Sequence, residues 1–444
     1  MSTGAPSFWK RAGWTKTGCW TFVLLAVLCA AGTWLYADRV LIPYQVADAA
    51  AHGRPRGNLS DLYPRWVGAR ELLLHGRDPY SAEVTREIQA GYYGHALDAA
   101  RVGDPRDQQG FAYPVYVVFL LAPTVRLPFD VVRAGFFWTL LFLTAISALI
   151  WLRVFQWVVP FATQFTVVVL TLGSLAVMQG LKLEQMSLLV AGLISMGILL
   201  LIKDQPVAAG IVLAFATIKP QLVVLLLLWL GIWSLADIRR RYVWCVSFLV
   251  AMAALFALSE WYLPHWIPRF WQAVREYQDY TGAMGVMEKL TGPWWGRALE
   301  ILAFTMMVRV CWRQRCRAAN SAAFAFTVAM VLAVTVLLAP TYAVYNQVLL
   351  IPALLIIVEQ RTTIWQRGLG SRLLFGATAA LVAWPWITGV VLAGLSFVLP
   401  RETVEQGWAV PFWTALFIPV GMAAVMLVSA GQWTFAAAAE RGTS

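Results

Sequence analysis

Long apolar runs separated by short polar connections dominate the sequence. The apolar runs lie at roughly 18–37, 114–127, 131–152, 157–178, 186–202, 205–218, 220–235, 242–262, 294–309, 321–339, 346–359, 373–398 and 410–430. Several are shorter than the about 20 residues that a straight bilayer crossing needs, but uncharged runs in this number are typical of transmembrane helices. The pattern therefore predicts an all-α polytopic membrane protein.

Basic clusters between the runs predict its orientation. The three arginines at 239–241 and the arginines in 309–320 mark cytoplasmic connections, because short cytoplasmic loops carry excess Lys and Arg. This orientation puts both flanks of 114–127 on the same face, so we expect that stretch to lie in or dip into the outer interface. About twelve crossings remain. An alternative left open is that one pair of neighbouring short runs forms a single long helix.

The predicted organisation places two large loops outside. Its parts are a cytoplasmic N-terminus (1–17), a first transmembrane helix (18–37), a large extracytoplasmic loop with interfacial helices (38–130), transmembrane helices (131–262), a second extracytoplasmic loop (263–293), further transmembrane helices (294–430) and a cytoplasmic tail (431–444). The first run, preceded by basic residues, resembles a signal peptide, but its length predicts an uncleaved helix.

Composition narrows the functional classes. Of 444 residues, 60% are apolar and 13% charged, which excludes a water-soluble enzyme. The net charge of +11 fits the inner face of a plasma membrane better than nucleic acid, so we expect membrane lipids and no nucleic acid among its partners. The five cysteines lie in apolar runs or among cytoplasmic arginines, where disulfides are unlikely.

One polar stretch of the first loop carries candidate chemistry. Residues 58–80 have apolar side chains at helical spacing and Gly76 as a stop, which predicts a short interfacial helix. Asp61, at its start, is placed to act as a general base toward an incoming hydroxyl. The alternative is that Ser60 or Asp61 serves as the helix N-cap.

Lys219 is the first choice for a cation that binds a phosphate group. It stands between two apolar runs, where an ammonium is costly unless it snorkels to the interface or meets an anion, and Pro220 breaks the helix beside it. Lys182 and Arg269 are second choices. His265 is a third, with simple solvation as its alternative.

Polar residues at outer helix ends are candidates for binding sugar or acceptor hydroxyls; they are Gln185, Tyr345, Asn346 and Gln347, together with Tyr63 near Asp61. Helix capping and interfacial anchoring are the alternatives. The sequence has no outer motif for a metal and no glycine-rich phosphate loop, so we predict no metal and no cofactor. A lipid-linked sugar is then favoured over a nucleotide sugar as donor.

The order of these elements resembles the GT-C glycosyltransferases, and among them most closely glycosyltransferase family 87. The matching elements are Asp61-x-Tyr63, Gly76-x-Asp78-Pro79-Tyr80, Tyr113-Pro114, Lys219-Pro220 and Tyr345-Asn346. The sequence departs from the family pattern at Val115, where a second proline is usual. It departs again at Glu184-Gln185-Met186-Ser187, where the family has Gly-Gln-x-Asn, and Ser187 or Glu184 is the candidate to make the contact of the missing Asn.

The resemblance implies a function. That family includes polyprenyl-phosphate-mannose-dependent mannosyltransferases, and its catalytic carboxylate falls on Asp61. It implies inverting transfer of mannose, or another hexose or pentose, from a polyprenyl-phosphate-linked donor to a lipid or glycan acceptor on the extracytoplasmic face. The alternatives are a transporter or lipid-linked-glycan flippase, or a non-enzymatic scaffold. A transporter should carry ionisable residues in mid-helix, whereas here they collect in loops and at helix ends.

Overall fold

The computed structural model describes residues 16–52, 60–98, 100–101 and 103–439, without the side chains of 16–19 and 432–439. Predictions for residues 1–15, for positions 58–59 of the interfacial stretch and for 440–444 of the tail lie outside these residues. All regular secondary structure in the described part is helical, which confirms the all-α prediction.

The helix bounds are as follows. The α-helices, α1 to α21 in chain order, are Lys16–Tyr36, Ile42–Ala51, Tyr63–His75, Ala82–Tyr93, Val117–Leu121, Phe129–Val154, Phe161–Leu172, Leu175–Lys182, Met186–Ile202, Pro206–Ala216, Val224–Leu235, Ile238–Tyr262, Trp266–Thr281, Val286–Thr291, Pro293–Gln314, Ala322–Leu338, Ile351–Glu359, Arg361–Gln366, Leu369–Leu395, Arg401–Glu405 and Ile418–Ala439. The 3₁₀ helices are Ala122–Thr124, Pro220–Leu222, Val344–Leu350 and Val410–Phe412, and a π-helical turn, Ala37–Leu41, joins α1 to α2.

Four helical segments of the described chain are long and apolar enough to cross a membrane. They are Trp20–Ala51, Phe129–Val154, Ile238–Tyr262 and Leu369–Leu395. The pair α7 and α8, bent by 58°, makes a fifth if it counts as one span. Six shorter apolar helices of 10–17 residues accompany them. The protein therefore has the helices of a membrane protein, while the count of about twelve crossings stays a prediction.

The first long helix continues past the apolar run that predicts it. Helical structure runs through the π turn to Ala51 instead of stopping near residue 37. Contacts with distant aromatics support the extension, since the Arg39 guanidinium lies 4.3 Å from the Phe397 ring centroid and Tyr44 stacks on Trp408 at 4.7 Å. Hydropathy alone does not predict such contacts.

Helix α16 forms the centre of the bundle. All its residues from 323 to 337 are buried, and α11, α15, α17 and α21 pack around it. A helix that is apolar on every side is stable only inside a protein or a membrane. Its buried hydroxyls, on Thr327 and Thr335, donate to main-chain carbonyls one turn earlier, so neither is left without a partner.

Close helix packing explains the bend between α7 and α8. At Gly173 a Cβ would lie 2.4 Å from the Cα of Ala30, closer than real contacts allow. Glycine at this position therefore lets the chain pass directly against α1 before Ser174 caps α8, its hydroxyl accepting from the Val177 N–H at 3.3 Å.

The polar loop after α2 holds the short helices that the sequence predicts. Helix α3, Tyr63–His75, ends at Gly76 with φ of +66°, which confirms the predicted helix and its stop. Within 114–127, the only helices are the five-residue α5 and the three-residue 3₁₀ helix after it. Helices of this length are too short to cross a bilayer.

Candidate active site

Main-chain contacts fix the position of Asp61. Its N–H donates to the Leu183 carbonyl at 3.0 Å, and its own carbonyl accepts from the Arg65 guanidinium. The N-cap of α3 is Leu62, which has no side-chain cap, and the Ser60 hydroxyl accepts from the Leu62 N–H at 3.1 Å. The Asp61 carboxylate is therefore not the cap of α3, and the capping alternative does not describe it.

A chain of side-chain hydrogen bonds leads away from that carboxylate. Gln185 donates through Nε2 to Asp61 Oδ2, and its Oε1 accepts from Lys219 Nζ at 3.1 Å. Lys219 also donates to the Ser187 hydroxyl at 2.6 Å, and Ser187 donates to Asn346 Oδ1 at 2.7 Å. We call Asp61, Gln185, Lys219, Ser187 and Asn346 the polar network. Four separate chain segments contribute to it.

The polar network lies inside the protein. Lys219 is 6% exposed and Gln185 is 2% exposed, while Asp61 keeps a partly accessible surface. The Lys219 side chain therefore does not snorkel to the surface, and the break between α10 and the 3₁₀ helix beginning at Pro220 turns it inward. A buried ammonium is costly unless polar groups or an anion surround it.

Aromatic side chains surround the two cations of the site. Lys219 Nζ lies 4.8 Å from the Tyr345 ring centroid, and interaction with Tyr113 favours its charged form. The Arg65 guanidinium lies 4.5 Å from the Tyr113 ring centroid. Each cation therefore has an aromatic ring beside it, which gives it a favourable cation–π contact.

The electrostatics suit a general base. Burial raises the pKa of the Asp61 carboxyl, Arg65 opposes that rise, the Asp107 carboxylate adds to it, and Lys219 and the hydrogen bond from Gln185 oppose it. Burial lowers the pKa of the Lys219 ammonium. A carboxylate with a raised pKa accepts a proton more readily than an ordinary surface carboxylate.

The second polar loop covers this region. Arg269 of α13 donates to the Asp78 carboxylate at 2.8 Å, which ties α13 to the first loop. Farther along α13, Tyr277 interacts electrostatically with Arg65 and Asp61, and its ring lies 5.4 Å from that of Tyr280. Helix α13 therefore lies near the site, with Tyr277 close enough to Asp61 and Arg65 to interact with their charges.

The other predicted phosphate-binding cations have different partners. Lys182 donates to Gln45. His265 is exposed, and its ring lies 3.9 Å from the Glu260 carboxylate. Arg269 is paired with Asp78 as described above. In the described residues none of the three has a hydrogen bond or ion pair with the polar network.

Two of the predicted sugar-binding residues also lie beside the network rather than in it. Tyr63 packs edge-on against Phe129, with centroids 4.9 Å apart. Gln347 donates to the Ala415 carbonyl and to the Tyr342 hydroxyl. The structure thus brings together Asp61, Gln185, Lys219, Asn346 and Tyr345 from the predicted set.

Arg65 and Ser187 complete the site, and Arg65 is not among the predicted site residues. A local signal for Arg65 exists, because an aspartate and an arginine four residues apart at a helix start approach each other. Ser187 is a possible substitute for the missing Asn of the family pattern, and here its hydroxyl connects Lys219 to Asn346.

An apolar cavity lies beside the chain segment that carries Asn346. It has a volume of about 350 Å³ and is enclosed by α1, α7, α17, α19 and α21, with Phe22, Leu170, Leu354, Trp386 and Met422 in its lining. Gln347 lines it too, and that residue directly follows Asn346 of the polar network. The polar network and the cavity therefore lie against the same 3₁₀ helix, Val344–Leu350.

Among the described residues, no group of three or more His, Cys, Asp and Glu side chains is arranged to hold a metal ion.

Comparison with known proteins gives one result. Residues 111–340, more than half of the chain, match the family model described as glycosyltransferase family 87. The matched region includes Tyr113, Gln185 and Lys219, whereas Asp61 and Asn346 lie outside it. No curated protein and no solved structure matches the chain.

Proposed function

The chain belongs to glycosyltransferase family 87, and from that premise we propose that it transfers a sugar, with mannose as the first choice, from a polyprenyl-phosphate-linked donor to a lipid or glycan acceptor. Membership of this family implies that this membrane protein transfers a glycosyl group. The donor, the side of the membrane and the roles of the residues are the proposal.

The observation that carries the proposal is the placement of a carboxylate and an ammonium on the two ends of one amide. Gln185 binds Asp61 with its Nε2 and Lys219 with its Oε1. A base and a cation held at fixed separation suit a displacement in which a proton leaves one reactant and negative charge develops on the other.

The reaction is a single displacement. The acceptor hydroxyl oxygen attacks the anomeric carbon, and the bond from that carbon to the phosphate oxygen breaks with its electron pair staying on the phosphate. Asp61 takes the hydroxyl proton. The products are the glycoside with inverted configuration, the polyprenyl phosphate and a protonated Asp61, which then returns its proton to water. One carboxylate suffices, because phosphate is a better leaving group than the sugar alkoxide that a hydrolase must protonate.

Lys219 stabilises the negative charge that collects on the leaving phosphate. Tyr345 and Asn346 are placed to contact the sugar, and Gln185 orients both the base and the cation. Lys182, Arg269, His265, Tyr63 and Gln347 contact other partners, and we give them no direct contact with the reacting atoms.

The membrane arrangement forms part of the proposal. About twelve helices cross the plasma membrane, the loops 38–130 and 263–293 lie outside, and the site faces the extracytoplasmic side. The apolar cavity beside Gln347 suits the prenyl chain of the donor, because its lining is apolar and Gln347 in that lining directly follows Asn346 of the polar network.

Purified protein in lipid nanodiscs and a panel of synthetic polyprenyl-phosphate hexoses and pentoses provide the test. Incubation with a membrane-lipid acceptor extract and mass spectrometry of the products should reveal one extended glycolipid or glycan. Asp61→Asn should abolish that product, and Asp48→Asn, on α2 and away from the network, should keep it. Failure of every donor with the parent protein contradicts the proposed donor class, and an active Asp61→Asn contradicts the base.

A further inference from the structure

Within the described residues, Arg65 has no carboxylate ion-pair partner, unlike Arg77, which follows α3, and Arg133 of α6. Arg77 pairs with Glu71 at 2.9 Å and Arg133 with Glu184 at 3.2 Å. Within the described residues, Arg65 and Lys219 make no ion pair within 4.0 Å. Cations inside a protein that lack an anion are costly, which makes such a pair a candidate anion site.

Only one edge of the Arg65 guanidinium makes a hydrogen bond among the described residues. Its Nη1 donates to the Asp61 main-chain carbonyl, and its guanidinium lies over the Tyr113 ring. Its Nε is buried and has no hydrogen-bond partner among the described residues. By the covalent geometry of a guanidinium, Nε–H and one Nη2–H form two parallel donors on the edge that Nη1 does not use. That edge matches two oxygens of a phosphate.

Tyr113 links the surroundings of Arg65 and Lys219. The Arg65 guanidinium lies 4.5 Å from the Tyr113 ring centroid, and Tyr113 favours the charged form of Lys219, on which Arg65 also acts. Asp61 supplies negative charge near both cations. Its carboxylate does not occupy the Nε edge of Arg65, since that Nε has no hydrogen-bond partner among the described residues.

We infer that Arg65 and Lys219 form a two-cation site for the phosphate of the donor, with Tyr113 beside it. The inference rests on the proposed function and adds to it a residue, Arg65, that contacts the leaving group. The phosphodiester of the donor carries one negative charge, and the phosphate monoester that departs carries close to two. A second cation is therefore worth more in the transition state and the product than in the bound donor.

This inference predicts a property of the product complex. The site should bind polyprenyl phosphate more tightly than the sugar-linked donor, and it should recognise the phosphate group rather than the prenyl chain. An alternative role for Arg65 is purely structural, in which it only fixes the Asp61 carbonyl and the Tyr113 ring. The structural role predicts no dependence of binding on the phosphate.

Binding to the full-length protein in nanodiscs separates these roles. The probes are decaprenyl phosphate, uncharged decaprenol, inorganic phosphate and phosphatidylglycerol, and the variants are Arg65→Gln, Arg65→Lys and Arg70→Gln. Arg70 is exposed and lies over Trp66 on the same helix, which makes it the matched control. Arg65→Gln should weaken decaprenyl phosphate binding about tenfold to a hundredfold, the loss expected for a charge-assisted contact, and leave decaprenol binding unchanged.

Arg65→Lys keeps the positive charge but loses the two parallel N–H donors, so its affinity for decaprenyl phosphate should lie between those of Arg65→Gln and the parent protein. This variant serves as the test if Arg65→Gln does not fold. Equal weakening of decaprenol and decaprenyl phosphate, or unchanged binding of both, overturns the inference. If phosphatidylglycerol competes as well as decaprenyl phosphate, the conclusion that the bound phosphate belongs to the donor is overturned. If the parent protein transfers sugar but Arg65→Gln and Arg65→Lys bind decaprenyl phosphate normally, only the two-cation site is refuted. If the parent protein is inactive with every donor, the proposed function is refuted.

Discussion

Asp61 and Lys219 are joined through the single amide of Gln185, which donates to the carboxylate and accepts from the ammonium at 3.1 Å. The two charges determine the orientation of the amide, because exchanging its nitrogen and oxygen would direct N–H groups at a cation and an oxygen at a carboxylate. Gln185 therefore couples the protonation of Asp61 to the position of Lys219.

The pH dependence of transfer should change in Gln185→Leu. Asp61 must be ionised to accept a proton, and burial raises its pKa, so the rate rises with pH through that raised pKa. The hydrogen bond from Gln185 lowers the pKa, and its loss should move the acid limb of kcat/KM to higher pH. Gln164→Leu, on α7, should leave the limb in place. An unmoved acid limb in Gln185→Leu would show that this contact does not tune the base.

Donor use should depend on Lys219. Replacement by methionine removes the ammonium while keeping most of the side-chain volume, so the donor KM should rise tenfold or more and the acceptor KM should stay constant. Steady-state kinetics with each substrate varied in turn gives both values. Lys203→Met, at the exposed end of α9, is the control. Equal increases in both KM values would mean that the lysine supports the fold of the site rather than the donor.

The ion pair between Arg269 and Asp78 should matter more for transfer than for stability. The two side chains are 41% and 28% exposed, and pairs of this kind contribute at most about 1 kcal/mol to folding. A double-mutant cycle with alanine at both positions should show a coupling below that value in thermal unfolding. Transfer should nevertheless fall severalfold, because α13 loses its connection to the first loop. Full activity in all three variants would exclude a role for the pair in closing the site.

The close approach at Gly173 should make the position sensitive to a single methyl group. A Cβ there would lie 2.4 Å from Ala30, so Gly173→Ala should cost about 1–3 kcal/mol through displacement of α1 or α7. Gly376→Ala, with no atom within 4 Å of its added Cβ, should be neutral or stabilising by up to about 1 kcal/mol. Thermal unfolding in detergent compares the two variants, and similar melting temperatures would contradict the packing argument.

Chain-length dependence tests the apolar cavity. Leu354→Trp should fill part of its volume and reduce transfer from long-chain donors, while short-chain donors that do not reach the cavity should react as before. Ile387→Trp, at an exposed position on α19, is the control. A loss that is the same for short and long chains would place the prenyl chain elsewhere.

Local features of the site were predictable because their causes are local. Gly76 ends α3 with a positive φ, and Pro220 breaks the chain next to Lys219, since glycine and proline act through their own backbone. The extension of the first helix to Ala51 was not predictable in this way, because its residues are stabilised by contacts with positions near 400.

The sequence by itself determined the class of the protein, helical and apolar, and the family to which it belongs. It also supplied the chemically capable residues, because residue type and helix breaks are properties of short segments. Tertiary structure alone decided which of them meet. Gln185 reaches Asp61 across 124 positions and Ser187 reaches Asn346 across 159, while His265 and Arg269 find other partners. Such contacts arise from the packing of helices far apart in the chain, and hydrophobic periodicity carries no information about them.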